Sequence, residues 1–432
     1  MSFLDERRNS RMDMAQPCLL TLAPPAPPCR GNTPATPATP VWLPRGDRSR
    51  FAKRHLRART RLSLVPTVIA IVLTMFFAAC GPMDDANSVD PTPSDGQPTP
   101  TRAAAAYLKS LEDIQPVQFP EDEAPHDVLT EWWYYTGHLF TEDGARYGFE
   151  YVFFQAERGA FPPYYAAHFA VTDSANETFR YEERLGGDAP QPTEQGFSLR
   201  LDDWSMSGAL GTDTLSATME DVAFDLTLTA VKEPALHNDI GYVDFGPAGG
   251  SYYYSRTRMA AEGTLTVDGE PVTVTGDVWF DHQWGNFIQV GAGGWDWFAV
   301  QMENGEDLTI SLIRAESGAV VISYGTLVAE DGSTTNLTAA DFIVSATEEW
   351  TSPHTGSTYP SRWTIELPEY GWRIDLDPSM NDQELNTQIS TGVTYWEGEV
   401  VVTGEIDGAP TTGLGYVELT GYADGETSRV AP

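Results

Sequence analysis

The chain has 432 residues, of which 41% are apolar and 11% aromatic, enough material for two packed domains. Its formal charge is −36, and the imbalance sharpens after Cys80, where 14 basic residues face 58 acidic ones, a net of −44. Such a surface repels phosphate backbones and anionic headgroups, which excludes a nucleic-acid partner. The only lysines after Cys80 are Lys109 and Lys232, a pattern that fits either a salt-rich habitat or a soluble acidic exoprotein.

Residues 1–50 are rich in Pro, Ala, Thr and Arg and carry no apolar period. They read as disordered, or as the product of a start codon set too far upstream. A basic run from Lys53 to Arg61 precedes an apolar run from Leu62 to Ala79, which ends in Phe77-Ala78-Ala79-Cys80-Gly81. A charged region, an apolar region and small residues before a cut describe an export signal. Small residues followed directly by Cys resemble a bacterial lipobox, so Cys80 is expected to carry lipid; an uncleaved membrane anchor is the rival reading. Either way the body is expected outside the cytoplasm, as an anchored protein of the cell envelope. The other cysteines, Cys18 and Cys29, also lie in this segment. The body therefore has no disulfide, thiolate nucleophile or cysteine metal ligand. Residues 81–118 are expected to form a flexible tether with one short helix over 103–114.

Beyond Glu131 the pattern is that of strands. Tyr147 to Phe154, Phe224 to Val231 and Leu308 to Ile313 are short and rich in aromatic or β-branched residues. The pairs Asp143-Gly144, Asp268-Gly269, Asn304-Gly305, Asp331-Gly332 and Asp407-Gly408 supply the positive φ that tight hairpins need. Strands this numerous, without helices between them, predict antiparallel sheets closed into barrels or sandwiches. The pattern also repeats. Trp132-Trp133-Tyr134 and its hairpin resemble Trp295-Asp296-Trp297 and its hairpin. Tyr254, Gly263, Gly276, Trp279 and Asp281 resemble Tyr395, Gly404, Gly413, Tyr416 and Glu418. Two related β-domains are expected, 119–292 and 293–426, with a boundary near residues 291–294.

Chemistry-bearing residues concentrate in Gly276-Asp277-Val278-Trp279-Phe280-Asp281-His282-Gln283-Trp284-Gly285. Strand alternation puts His282 and Trp284 on one face with Phe280, and Trp279, Asp281 and Gln283 on the other. Asp281 and His282 therefore address different surroundings unless a bulge intervenes. That block, with Glu131-Trp132-Trp133-Tyr134, Tyr254-Ser255-Arg256, Gly294-Trp295-Asp296-Trp297 and Tyr395-Trp396-Glu397-Gly398, resembles the AttH/CrtC family over roughly residues 120–425. The resemblance implies an all-β fold of two lipocalin-like antiparallel β-barrel domains in tandem, with carotenoid 1,2-hydratase as the named activity. It implies His282 and Trp284 as catalytic residues. The family's Tyr-x-Asp, whose Asp is the proton donor, falls at Thr309-Ile310-Ser311, so that donor is missing unless Asp281, Asp296 or Glu131 takes the role.

Adding water to an isolated double bond requires a protonated acid in a dry site and aromatic faces for the cation. The sequence reading therefore assigns catalysis to His282, Trp284 and Asp281. It assigns binding of an extended hydrophobic, carotenoid- or polyene-like molecule to Glu131, Trp133, Tyr134, Tyr254, Arg256, Trp279, Trp295 and Trp297. A structural reading stands beside it: Asp281 and Glu418 pair with Arg256 or Arg258, His282 is a satisfied core histidine, and the 131–134 aromatics plug a barrel. A non-catalytic envelope carrier, or a hydrolase or cyclase on the same scaffold, is the alternative function. No Gly-x-Ser-x-Gly elbow, His-Glu-x-x-His pair, calcium loop or phosphate loop is present. His126, His138, His168, His237 and His354 are scattered, so no metal and no cofactor is expected. The oligomeric state is open.

Overall fold

The computed structural model describes residues 114–157, 162–246, 249–286 and 293–423. The leader with Cys80, residues 103–113 of the helix expected over 103–114, and boundary residues 291 and 292 lie outside the described residues. Twelve strands build the first sheet: β1 (Thr130–Thr141), β2 (Arg146–Ala156), β3 (Tyr164–Asp173), β4 (Thr178–Gly186), β5 (Phe197–Leu201), β6 (Trp204–Ala209), β7 (Thr212–Met219), β8 (Val222–Ala230), β9 (Ala235–Leu236), β10 (Tyr242–Asp244), β11 (Gly250–Val267) and β12 (Glu270–Gly285). Ten build the second: β13 (Trp295–Met302), β14 (Asp307–Arg314), β15 (Val320–Val328), β16 (Thr334–Thr338), β17 (Ile343–Thr351), β18 (Thr358–Leu367), β19 (Trp372–Pro378), β20 (Glu384–Thr387), β21 (Val393–Ile406) and β22 (Ala409–Leu419). Every pairing within them is antiparallel, and the helical pieces are short 3₁₀ turns such as Glu121–Glu123 and Pro368–Tyr370.

Burial pattern tells which strands lie between the sheets. β7 and β8 alternate buried and exposed positions, as strands with one wet face do. β3, β13 and β14 are buried at nearly every position, and β1 and β2 along unbroken central runs. Their inner faces supply the cores of their own sheets. Their outer faces meet across a layer that we call the seam. The first sheet runs β4-β3-β2-β1-β12-β11-β8-β7-β6-β5 and curls until its edges approach. Arg184 of β4 donates to the Leu201 carbonyl, pairs with Asp203 and stacks on Trp204. This nearly closed barrel is filled by side chains, among them Trp133, Tyr135, Tyr151, Phe153, Phe169, Trp204 and Phe224.

The second sheet repeats the arrangement: β13 pairs β22 and β22 pairs β21, as β1 pairs β12 and β12 pairs β11. The turns repeat too. Asp268-Gly269 (φ 52° and 79°) and Asp407-Gly408 (51° and 74°) turn both residues to positive φ. At Asp143-Gly144, Asn304-Gly305 and Asp331-Gly332 only the glycine does so. Tyr134 opposes Asp281 as Trp297 opposes Glu418. One equivalence needs correction. A bulge between Arg256 and Met259 shifts the β11 register by one residue. Ser255 opposes Asp281 and Glu397 opposes Glu418, so the counterpart of Tyr395 is Tyr253, not Tyr254.

Candidate functional site

The central strand β12 sends its chemistry in two directions. Phe280, His282 and Trp284 point into the first barrel, whereas Trp279, Asp281 and Gln283 point into the seam. The bulge lies in β11 and leaves this division intact. The expected catalytic set of His282, Trp284 and Asp281 is therefore split. His282 and Trp284 share one environment, and Asp281 belongs to another.

At the barrel end His282 is fully buried, and its Nε2 lies 2.8 Å from Oε1 of Glu131. Its Nδ1 is 3.3 Å from the Tyr254 hydroxyl. His126, from the segment that precedes β1, brings its Nδ1 to 2.8 Å from the same Glu131 oxygen, and its ring lies flat on Trp284 at 4.2 Å. Trp133 stacks on His282 at 5.0 Å. Burial alone would push Glu131 up, but hydrogen bonds from the two imidazoles hold its carboxyl below the usual range. Burial pushes His282 down against the pull of Glu131, so the pair is a carboxylate receiving an N–H from neutral imidazole. Arg256 pairs with Glu123 of the first 3₁₀ turn, not with Asp281, and Arg258 pairs with Asp277 and Asp307. The segment from 114 to 129 thus caps the barrel through Val117, Glu123 and His126.

The seam is a layer of carboxyl groups, phenols and indoles. Asp281 accepts from Trp279 Nε1 (2.7 Å), the Tyr253 hydroxyl (2.5 Å) and Ser255. Trp297 meets Tyr134 edge-on at 5.3 Å and Trp279 at 6.1 Å, and donates to the Tyr253 oxygen. Tyr134 donates to Oε1 of Glu397 (2.8 Å), and Tyr395 donates to Oε1 of Glu150 (2.9 Å). The Oε2 atoms of Glu150 and Glu397 have no hydrogen-bond partner among the described residues. Neither glutamate pairs with a cation among those residues, and both are essentially inaccessible to solvent (1% and 0%). Burial lifts Glu150 to about 8, with Tyr395 opposing and Glu418 adding to the rise. Burial and the charges of Glu150 and Glu418 lift Glu397 well above the ordinary carboxyl range. Both are carboxylic acids, not carboxylates, at neutral pH. Asp281 is also raised, to about 6, by burial against its three donors. Glu418 is half-buried at the rim beside exposed Trp295, which donates to it, so screening by water tempers its rise.

A chain of hydrogen bonds leads outward from Glu150. His168 Nδ1 lies 2.7 Å from the Tyr395 oxygen, and its Nε2 lies 2.9 Å from Ser390 Oγ. Ser390 Oγ lies 2.5 Å from Oε2 of half-buried Glu183. The Tyr395 hydroxyl donates to Glu150 and the Ser390 hydroxyl to Glu183, so the one N–H of neutral His168 serves one of its two contacts at a time. Burial holds this imidazole neutral by pushing it down to about 3. Elsewhere in the seam a small cavity of about 10 Å³ is lined by Thr136, His138, Trp279, Gln301 and Tyr416, room for about one water. A larger hollow of about 450 Å³ opens between surface hairpins at Asn304, Glu306 and Asp331, away from the seam.

Of the expected ligand residues, Tyr134, Trp279 and Trp297 line the seam and Trp295 stands at its rim. Glu131, Trp133, Tyr254 and Arg256 belong to the barrel end. Thr309 and Ser311 of β14 lie opposite Ala299 and Trp297 and face the seam. Sequence reading missed Glu150 as an acid of the site, and it quoted Glu397 only as part of a motif. The available signal was an acid inside a strand apolar on both faces, as in Tyr147-Gly-Phe-Glu-Tyr-Val-Phe-Phe154. Asp296, the remaining stand-in for the missing donor, accepts from Tyr422 and pairs with Arg314.

A family model described as AttH-like matches residues 110–422. A solved structure described as an AttH from Nitrosomonas europaea is 30% identical, covers 72% of this chain and 98% of its own, and superposes with a TM-score of 0.65. Kievitone hydratase from Nectria haematococca has the same fold at 19% identity, with 72% and 94% coverage and a TM-score of 0.60. A dehydratase, asqC, from Emericella nidulans is 28% identical over 210 residues, 46% of this chain. The match spans 58% of that curated relative's length.

Proposed function

The chain belongs to the AttH-like family, and from that premise we propose that it is a hydro-lyase whose acid is a buried seam glutamate. The observation that carries this reading is Glu150: buried, without a cation, with one free carboxyl oxygen, inside an aromatic layer and linked by hydrogen bonds to half-buried Glu183. In the hydration direction its O–H protonates one carbon of an isolated double bond. The π pair becomes the new C–H bond and leaves a tertiary cation beside the rings of Tyr134 and Trp297. Water adds to the cation and returns a proton to the Glu150 carboxylate. Dehydration is the same path reversed. The Tyr395–His168–Ser390 chain resets the proton between carboxyl and solvent, and Glu397 is the second acid of the pair.

The substrate we propose is an extended apolar molecule, polyene- or carotenoid-like, that reaches the acid from the rim at Trp132, Phe154 and Trp295. The dehydratase name of the asqC relative supports the reaction class, and the aromatic layer supports the substrate class. The leader sequence supports an envelope location with lipid on Cys80. The test is to incubate the full chain with acyclic carotenoids and with tertiary terpenoid alcohols, and to follow the gain or loss of one water by mass. Turnover that Glu150→Gln abolishes supports the reading. Tight binding without turnover on every substrate overturns it in favour of a carrier.

A further inference from the structure

We propose that His126, Glu131 and His282 form a binding site for one divalent transition-metal ion, of which Zn²⁺ is the type. Nδ1 of His126, one carboxyl oxygen of Glu131 and Nε2 of His282 lie within 4.8 Å of one another. The two contacts to Glu131 are 2.8 Å each. Ligand atoms around tetrahedral zinc sit about 3.3 Å apart, given bonds of about 2.0–2.1 Å. The two contacts to Glu131 therefore need to open by about half an ångström, while the two imidazole nitrogens, within 4.8 Å of each other, settle to the same spacing around the ion.

Their surroundings are those of metal ligands. A ligating histidine has its second ring nitrogen held by an outer partner, which fixes the ring. Here Nε2 of His126 faces the Asp122 carboxylate at 3.5 Å, and Nδ1 of His282 faces the Tyr254 hydroxyl at 3.3 Å. The second Glu131 oxygen is occupied by the His126 backbone N–H at 2.8 Å. Trp284 fixes the plane of the His126 ring from one side.

The Asp122 carboxylate stands opposite Nε2 of His126, which leaves Nδ1 as the ring nitrogen turned toward Glu131 and His282. Three protein ligands leave a fourth position for water. His126 is the partly exposed member, so the ion has a path in, and the acidic body draws cations toward it. The barrel end is separate from the acid of the seam, so this site stands whether or not the hydro-lyase reading does.

The test uses the full chain made without a histidine tag, stripped with chelator and titrated with Co²⁺. One equivalent should bind with the visible absorption of a four-coordinate site, and Zn²⁺ should displace it. His126→Ala and His282→Asn should each weaken binding by 100-fold or more. Asp122→Asn, which only orients His126, should weaken it about tenfold. His354→Ala, at the exposed His354–Asp382 pair, should leave binding unchanged. His126→Ala is the deciding variant because its side chain is partly exposed; a near-UV circular dichroism spectrum like the wild type's shows that it folds. No stoichiometric Co²⁺, binding unchanged in folded His126→Ala, or binding lost in His354→Ala overturns the proposal.

Discussion

Glu150 and His282 show how one residue type and its burial set opposite demands. Glu150 keeps its proton because nothing basic compensates its burial. Its pKa in the folded chain is raised from 4.5 to about 8, so the native state binds more protons than the unfolded state between those values. The stability it contributes is full below about pH 4.5 and is lost as pH rises through 8. Glu150→Gln should therefore cut turnover about 100-fold or more, yet unfold at higher denaturant than wild type at pH 9. Wild-type turnover should fall as pH rises through about 8, because the acid form is the donor; a flat profile to pH 9 would remove Glu150 from the role. His282→Ala works the other way. It strips a donor from the buried Glu131 carboxylate and should cost about 3 kcal/mol, measured by urea unfolding. Lost activity in that variant is consequently no evidence of catalysis unless the protein remains folded.

At the scale of the strand, glycines mark where one backbone lies against another. A Cβ on Gly276 of β12 would run into the His138 carbonyl of β1. Its counterpart Gly413 of β22 stands in the same relation to the Gln301 carbonyl of β13. The repeat keeps glycine there because the crossing of first and last strand is the same in both sheets. Gly276→Ala should destabilise by about 2 kcal/mol, read as a drop in melting temperature without change in the folded spectrum. Alternation along β12 is the other property at this scale. It divides six residues between a barrel core and an acid layer, and no substitution at Asp281 should alter the surroundings of His282.

The two sheets are joined across the seam by charge as well as by rings. Asp307 at the start of β14 is buried, and it receives Lys232 (2.7 Å), Arg258 (2.6 Å) and Thr257 (2.8 Å) from the first sheet's side. Removing it leaves a lysine whose side chain is only 4% exposed without its counter-charge, held by the Gly305 carbonyl. Asp307→Ala should cost about 3 kcal/mol or more and weaken the coupling between sheets. The expected readout is a denaturation curve that broadens or splits into two steps; a single transition at the wild-type midpoint would show that the pair does not join them. The tethering of this unit through Cys80 is a separate matter, tested by labelling cells with a radiolabelled fatty acid.

Much of the fold was written locally. Turn pairs, aromatic strands and the repeated Gly–aromatic–acid spacing are short-range features, and each produced the element it announced. The division of β12 followed from the pleat alone. What the sequence could not state was which distant strands face each other. Glu150 and Tyr395 are 245 residues apart, and Tyr134 and Glu397 are 263 apart. Only the packing of two sheets turns ordinary glutamates into neutral acids, because pKa depends on what surrounds a carboxyl, not on its chain neighbours. His126 escaped for the same reason: its partner Glu131 is near in sequence, but His282 reaches it only when β1 and β12 close the barrel.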